Sequence, residues 1–161
     1  MKSFRKYKSP PAGASPSPVS DAVSHSMRSN KRMGTTPELI LARLLRKRIT
    51  RSNLPGSPDF VYNKEKLAVF VHGDWWHSCP VCKPALPKHH RKFWKRKFER
   101  NVERDRLDKE ELEALGWRVL VVWGHEIKQN PQAVALKIRG LVATPATDDA
   151  SVYPLIRESG V

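Results

Sequence analysis

The chain has 161 residues and carries 30 Lys+Arg against 16 Asp+Glu, a formal charge of +14, on a length that suits one domain. Its hydrophobic content of 39% supports one small core and excludes a multidomain machine. No run approaches the ~18 consecutive apolar residues of a membrane span, and the start of the chain has no apolar secretory core, so an intracellular soluble protein is expected. So large a positive charge calls for a polyanionic partner, and nucleic acid is favoured over a membrane surface because no lipidation motif or apolar basic helix is present.

Residues 1–26, with Pro10, Pro11, Pro16 and Pro18 among Ser, Ala and Gly, read as a basic tail without apolar periodicity. Thr36 and Pro37 suit a helix start, and Leu39, Ile40, Leu44 and Leu45 recur at helical spacing, which predicts a first helix over 37–47. The turn Leu54-Pro55-Gly56-Ser57-Pro58 precedes two strands, Asp59–Tyr62 and Leu67–Val71, expected to pair as an antiparallel hairpin. A loop with Cys79 and Cys82 follows, then a charged helix from about His89 or His90 with Trp94, Phe98 and Val102 on its apolar face. Gly116 should end that helix. Trp117–Trp123 is apolar on both faces and is expected to be the central strand. Asn130-Pro131 opens a last helix carrying Val134, Ile138 and Val142. The order α, β, β, α, β, α without repeats predicts an α/β fold, a mixed sheet flanked by helices in one domain over 27–143, with a second tail over 144–161.

Several residues could carry chemistry. Asp59, rigidly placed after Pro58, could hold a hard divalent cation or merely finish a turn. With His72, His77 and Asp105 it would supply two carboxylates and two imidazoles, the ingredients of metal-assisted phosphodiester hydrolysis. Asp74, Cys79, Cys82 and His125 form a second group. Cys-x-x-Cys alone is half a zinc site or a thiol pair, and a proline-rich loop that needs a staple favours zinc over redox use. Trp75-Trp76 fits either core packing or a wedge that enters a base stack. Residues 83–109 hold 11 Lys+Arg against four acidic side chains, an imbalance that predicts phosphate contact over internal salt bridges, with Lys95 and Arg96 among the candidates.

These stretches resemble the very short patch repair endonucleases, a mismatch-nicking family of the PD-(D/E)xK nuclease superfamily. The matching segments are Ser26-Met27-Arg28, Thr36-Pro37-Glu38, Leu54–Phe60, Val69–His77, Phe93-Trp94, Asn101–Asp105 and Leu115–Trp123, in the family's order and nearly its spacing. The resemblance implies a restriction-endonuclease-like core with a structural zinc site, acting as a monomer on double-stranded DNA. The expected reaction is Mg²⁺-dependent hydrolysis 5′ to the T of a T·G mispair left by 5-methylcytosine deamination.

By the same resemblance, Asp59 and the backbone carbonyl of Val71 bind magnesium. His72 approaches the scissile phosphate, His77 with Asp105 activates water or assists the leaving oxygen, and Glu38 stands near the metal's water network. Trp75 and Trp76 insert beside the mispair, Met27 inserts from the opposite groove with Arg28 nearby, and Asp74, Cys79, Cys82 and His125 hold zinc. Repair proteins are possible partners, no membrane is involved, and the setting is a prokaryotic cytoplasm at the nucleoid. The chain departs from the family in having Asp74 where a Cys is usual, and in a shortened 46–53 segment that removes much of the strand after the first helix. A nicking nuclease with relaxed specificity, attached to a restriction–modification system, and a non-catalytic zinc-stabilised DNA-binding module are the alternatives.

Overall fold

The computed structural model describes residues 33–50, 52–88 and 90–144. Met27 and Arg28, and all but Thr144 of the two expected tails, lie outside the described residues. The elements are α1 (Thr36–Leu45), β1 (Phe60–Tyr62), β2 (Leu67–His72), α2 (Arg91–Ala114), β3 (Arg118–Trp123), α3 (Gly124–Gln129) and α4 (Pro131–Ala143). They form one mixed α/β domain. β1 and β2 pair antiparallel, with Phe60 opposite Val69 and Tyr62 opposite Leu67. β2 and β3 pair parallel through the α2 crossover, with Leu67 opposite Arg118 and His72 opposite Trp123.

Alternation along the strands sends side chains to two apolar layers. Phe60, Leu67, Val69, Leu120 and Val122 face one core with Leu41 of α1, Ile127 of α3 and Val134, Ala135 and Ile138 of α4. Ala68 and Val119 face Leu112 of α2, with Leu54, Phe70 and Trp117 packed around them. This two-sided cover corrects one expectation. β2 is the central strand and β3 an edge of the described sheet. β3 is apolar on both faces because helices cover both, which is a matter of layers and not of position in the sheet.

Other differences are local. α1 stops at Leu45 because Arg46 turns into the left-handed region at φ 49°, where its N–H bonds back to the helix end. No strand forms over 46–50, but Thr50 N–H still donates to Asp59 O at 2.8 Å, so one backbone bond survives beside β1. α2 buries Trp94, Phe98 and Leu112. Val102 is 47% exposed, because its stretch of the helix lines an open cleft with Pro84 and Leu86 and does not meet the sheet. α3, a helix that sequence periodicity did not indicate, continues directly from β3 with Trp123 N–H donating to Glu126 Oε2 at 2.7 Å.

The turn before β1 is shaped by Gly56, at φ +68°. A Cβ there would stand 3.0 Å from Asp108 Cβ and from Phe70 Cε1. Gly56→Ala is therefore expected to destabilise the protein by about 1–3 kcal/mol through strained backbone and contact. Gly140→Ala in α4, where an added Cβ meets nothing within 4 Å, should stabilise by about 0.5–1 kcal/mol. Urea denaturation of both variants checks this pair of opposite signs.

Candidate active site

The hairpin and the crossover helix bring Asp59, His72, His77 and Asp105 to one end of the sheet. Asp59 immediately precedes β1, and extending the β1–β2 register sets it opposite Phe70. Its Oδ2 accepts the Val71 N–H at 2.7 Å. Burial pushes the Asp59 carboxyl up to about 6, with the nearby Glu38 charge adding to it and the Val71 N–H and His77 opposing. A carboxylate held in these surroundings lacks a compensating cation, which suits a hard divalent ion.

His72 ends β2, with its ring stacked on that of His77 at 4.0 Å between centroids and edge-on to Phe70 and Trp123. Burial, joined by the His77 charge, lowers His72 to about 4, so this imidazole is neutral at neutral pH. His77 Nδ1 lies 2.5 Å from Asp105 Oδ2. Burial acts to raise the Asp105 carboxyl, but the hydrogen bond and charge of His77 outweigh it and hold Asp105 below its ordinary value. With Nδ1–H donating to that carboxylate, a neutral His77 keeps its lone pair on Nε2.

Glu38 is 4% exposed, the one buried charged side chain among the described residues. The Gly34 N–H donates to its Oε2 and the Thr35 hydroxyl to its Oε1, both at 2.6 Å. It thereby fixes the entry into α1 and still lies close enough to act on Asp59.

The loop after β2 carries the second group. Ligand atoms of Asp74, Cys79, Cys82 and His125 all lie within 4.8 Å of one another. Cys79 Sγ and Cys82 Sγ stand 3.7 and 3.3 Å from His125 Nδ1, bracketing the ~3.6 Å edge of a tetrahedron built on ordinary zinc–sulfur and zinc–nitrogen bonds. Asp74 Oδ1 lies 2.7 Å from His125 Nδ1 and accepts the His125 N–H at 3.2 Å. Gly124 is what admits it: a Cβ there would meet Asp74 Oδ2 at 3.1 Å. The donor set suits a tetrahedral N/S/O ion, and the 2.7 Å approach of Asp74 to His125 is a hydrogen bond that such an ion would replace.

Trp75 packs edge-on against Trp76, Trp94 and Phe98 at 4.6, 5.1 and 4.8 Å. Trp76 is held from outside by Lys97 Nζ, 5.0 Å from its ring, and from behind by Asn101 Nδ2, which donates to Trp76 O at 3.0 Å. Lys97 and Asn101 were not singled out from sequence, and Trp94 was read only as core. Their signal was present in the helical spacing that puts all three on the side of α2 facing the loop.

The charge run differs from expectation. Lys95–Glu99, Arg104–Asp105, Arg106–Glu103, Arg106–Glu110 and Lys109–Glu113 are ion pairs within α2. Internal pairing takes up four of the 11 cations, Lys95, Arg104, Arg106 and Lys109, mostly with acidic residues three or four positions away. Lys95 is thus paired, at an exposed 3.8 Å, while Arg96 is exposed and gives its carbonyl to Arg100 Nε.

The family model for DNA mismatch endonuclease Vsr matches residues 20–83. The type II nicking enzyme V.NmeDIP of Neisseria meningitidis serogroup C is 40% identical over 72% of this chain and 82% of its own length. V.NaeI of Lentzea aerocolonigenes is 36% identical over 78% and 81%. Escherichia coli Vsr is 43% identical over 47% of this chain and 49% of its own. The chain belongs to the Vsr family. It is accordingly a DNA endonuclease, a hydrolase whose partner is DNA and whose class of chemistry implies a divalent metal. Among the described residues of this Vsr-family enzyme, no helix is long and apolar enough to cross a membrane.

The raised carboxyl of Asp59 has a thermodynamic consequence. Its folded-state value of about 6 lies above the ordinary 3.8, so its contribution to stability is fully present below about pH 3.8 and lost as pH rises through about 6. In magnesium-free buffer, Asp59→Asn should therefore exceed the parent protein in stability at neutral pH by up to about 3 kcal/mol and match it near pH 3.5. Denaturation curves at the two pH values measure the difference.

Proposed function

We propose that this endonuclease uses Mg²⁺ to nick DNA 5′ to the T of a T·G mispair, leaving a 3′-hydroxyl and a 5′-phosphate. The observation that carries the reading is the convergence of a desolvated Asp59 carboxyl with an oriented His77–Asp105 pair beside an aromatic cluster. Asp59 and the Val71 carbonyl would hold the ion in a restriction-endonuclease-like core, and Glu38 would stand near its waters. Bound magnesium supplies charge neutralisation at the phosphate in flight.

The remaining steps belong to the side chains. His77 takes a proton at Nε2 from the attacking water, while Asp105 keeps its Nδ1 protonated and steadies the imidazolium that forms. His72, neutral, meets the scissile phosphate as a hydrogen-bond partner and not as a fixed cation. Trp76, and Trp75 behind it, enter the stack at the mispair, where opening the duplex costs least. Met27 enters from the other groove with Arg28 beside it, and Lys95 and Arg96 contact phosphates. The working unit is residues 27–143, acting as a monomer in the bacterial cytoplasm at the nucleoid, and it hands its product to repair synthesis.

The similarity to enzymes named type II nicking enzymes favours a second reading, a nicking activity of broader specificity tied to a restriction–modification system. Labelled T·G and T·A duplexes separate the two. Under the mismatch reading the T·G strand is nicked at least about 100-fold faster, near what one or two mispair contacts supply. Asp59→Ala should abolish nicking of both while leaving mismatch binding in place. Comparable rates on the two duplexes would support the broader specificity, and an inert parent protein would leave a binding module.

Zinc is the ion the Asp74, Cys79, Cys82 and His125 donors suit, as a structural staple for the loop. Protein purified without chelator should contain one equivalent of zinc. Cys79→Ser should lose it and lower Tm, and a metal-free parent protein would end the assignment.

A further inference from the structure

The catalytic end of the sheet is not the only concentration of positive charge. At the opposite end, Arg139 Nη2 donates to Leu44 O at 2.5 Å, joining the C-terminal halves of α1 and α4. Lys47 Nζ sits 4.3 Å over the ring of Tyr62, the last residue of β1. Arg118 binds Glu65 O and Leu141 O, at 3.2 and 2.9 Å, and its N–H donates to Lys66 O. These contacts gather Arg46, Lys47, Arg48, Lys66 and Arg139 around one end of the domain. β2 has six residues between this end and His72, so the two ends stand about 17 Å apart.

The charges here are organised differently from those of α2. Among the described residues, Lys95, Arg104, Arg106 and Lys109 pair with carboxylates on their own helix. By contrast, α1, α4 and the 46–50 segment contain a single acidic residue, Glu38, which is buried near Asp59 at the other end of α1. Arg46, Arg48, Lys66 and Arg139 are exposed, and among the described residues none of them enters an ion pair. Glu65, which acts on Tyr62 together with Arg139, is the one acid of the β1–β2 turn and leaves the patch strongly positive, a repulsion that an external polyanion relieves. Arginine, which supplies three of these cations, is the side chain best matched to phosphate geometry.

We propose that this distal patch is a second docking surface for the phosphate backbone of duplex DNA, letting the enzyme hold two duplex segments at once and pass directly from one to the other. The inference rests on the reading that the catalytic end grips duplex DNA. Two grips at opposite ends allow an incoming segment to dock before the first is released, so transfer no longer waits for full dissociation. Phosphate contacts of this kind carry no sequence information and suit movement along and between duplexes.

The test is the release rate of the full-length protein from a labelled matched duplex, chased with increasing unlabelled duplex. The rate should rise in proportion to competitor concentration, and Arg46→Glu with Arg48→Glu should abolish that dependence. The milder Arg46→Gln with Arg48→Gln should weaken it, which guards against a misfolded charge reversal. Both variants should keep the parent's nicking rate at saturating DNA, since neither side chain is among the groups assembled around Asp59 and His77. A release rate independent of competitor in the parent protein overturns the proposal, as does an unchanged dependence in both variants. Failure of the catalytic reading is separately visible, as absence of nicking or of any binding to the labelled duplex.

Discussion

The candidate centre depends on one contact, the Val71 N–H donated to the Asp59 carboxylate. It ties the residue that opens the hairpin to the strand lying beside it, at the place where the sheet ends and the next loop begins. Burial and the like charge of Glu38 work against the carboxylate of Asp59, and the Val71 N–H, the neighbouring His77 and its own backbone N–H favour its ionised form. Native structure rarely keeps an acid in such a place for stability's sake, because a carboxyl raised to about 6 works against folding at neutral pH. The arrangement becomes favourable when a cation joins it. The fold thus holds one poorly compensated charge of the kind a divalent ion would relieve.

The two imidazoles beside it are differentiated by their surroundings and not by their chemistry. They stack at 4.0 Å, a separation at which both cannot readily carry charge. Asp105 sets them apart, since it bonds to His77 and leaves His72 among Phe70, Trp123 and the facing ring. One ring is therefore oriented by a carboxylate, while burial keeps the other neutral beside it. Asp105 comes from α2, so the helix that covers the second face of the sheet also fixes the proton chemistry at its end.

Much of this was legible in the residues, and the exceptions share a cause. The hairpin, the long helix, the last helix and their order could be read because periodicity and turn residues are local signals: Pro55-Gly56 before β1, Gly116 after α2, Asn130-Pro131 before α4. The His77–Asp105 contact spans 28 positions, and it was expected from the family resemblance, the residues themselves placing Asp105 only on a helix that packs near the hairpin. Strand order was misread. Val119, Leu120 and Val122 announce that both faces are covered, but nothing in them says whether a neighbour lies on one edge or two. α3 was missed because six residues are too few to show a period, and Val102 because helical spacing says which side a residue faces without saying where the sheet beneath it stops. The roles of Lys97 and Asn101 at Trp76 are tertiary: helical spacing sets the side of α2 they share with Trp94, and nothing local says what lies opposite it.

Charge counting over a segment leaves out part of the electrostatics. Summed over a segment, residues 83–109 looked like the strongest phosphate-binding surface in the chain, yet the count ignores where each acid falls. On a helix, an acid three or four positions from a cation cancels it, and α2 places several so. Its basic potential is consequently weighted toward Arg91, Lys92, Arg96, Lys97 and Arg100, near the aromatic cluster. The sparser cations of α1 and α4 have no acid at such spacing, and none of those elements contributes one at their end of the sheet. For an enzyme acting on a polyanion, the useful quantity is the charge that survives internal pairing, and by that measure cations remain both beside the aromatic cluster and at the far end of the sheet.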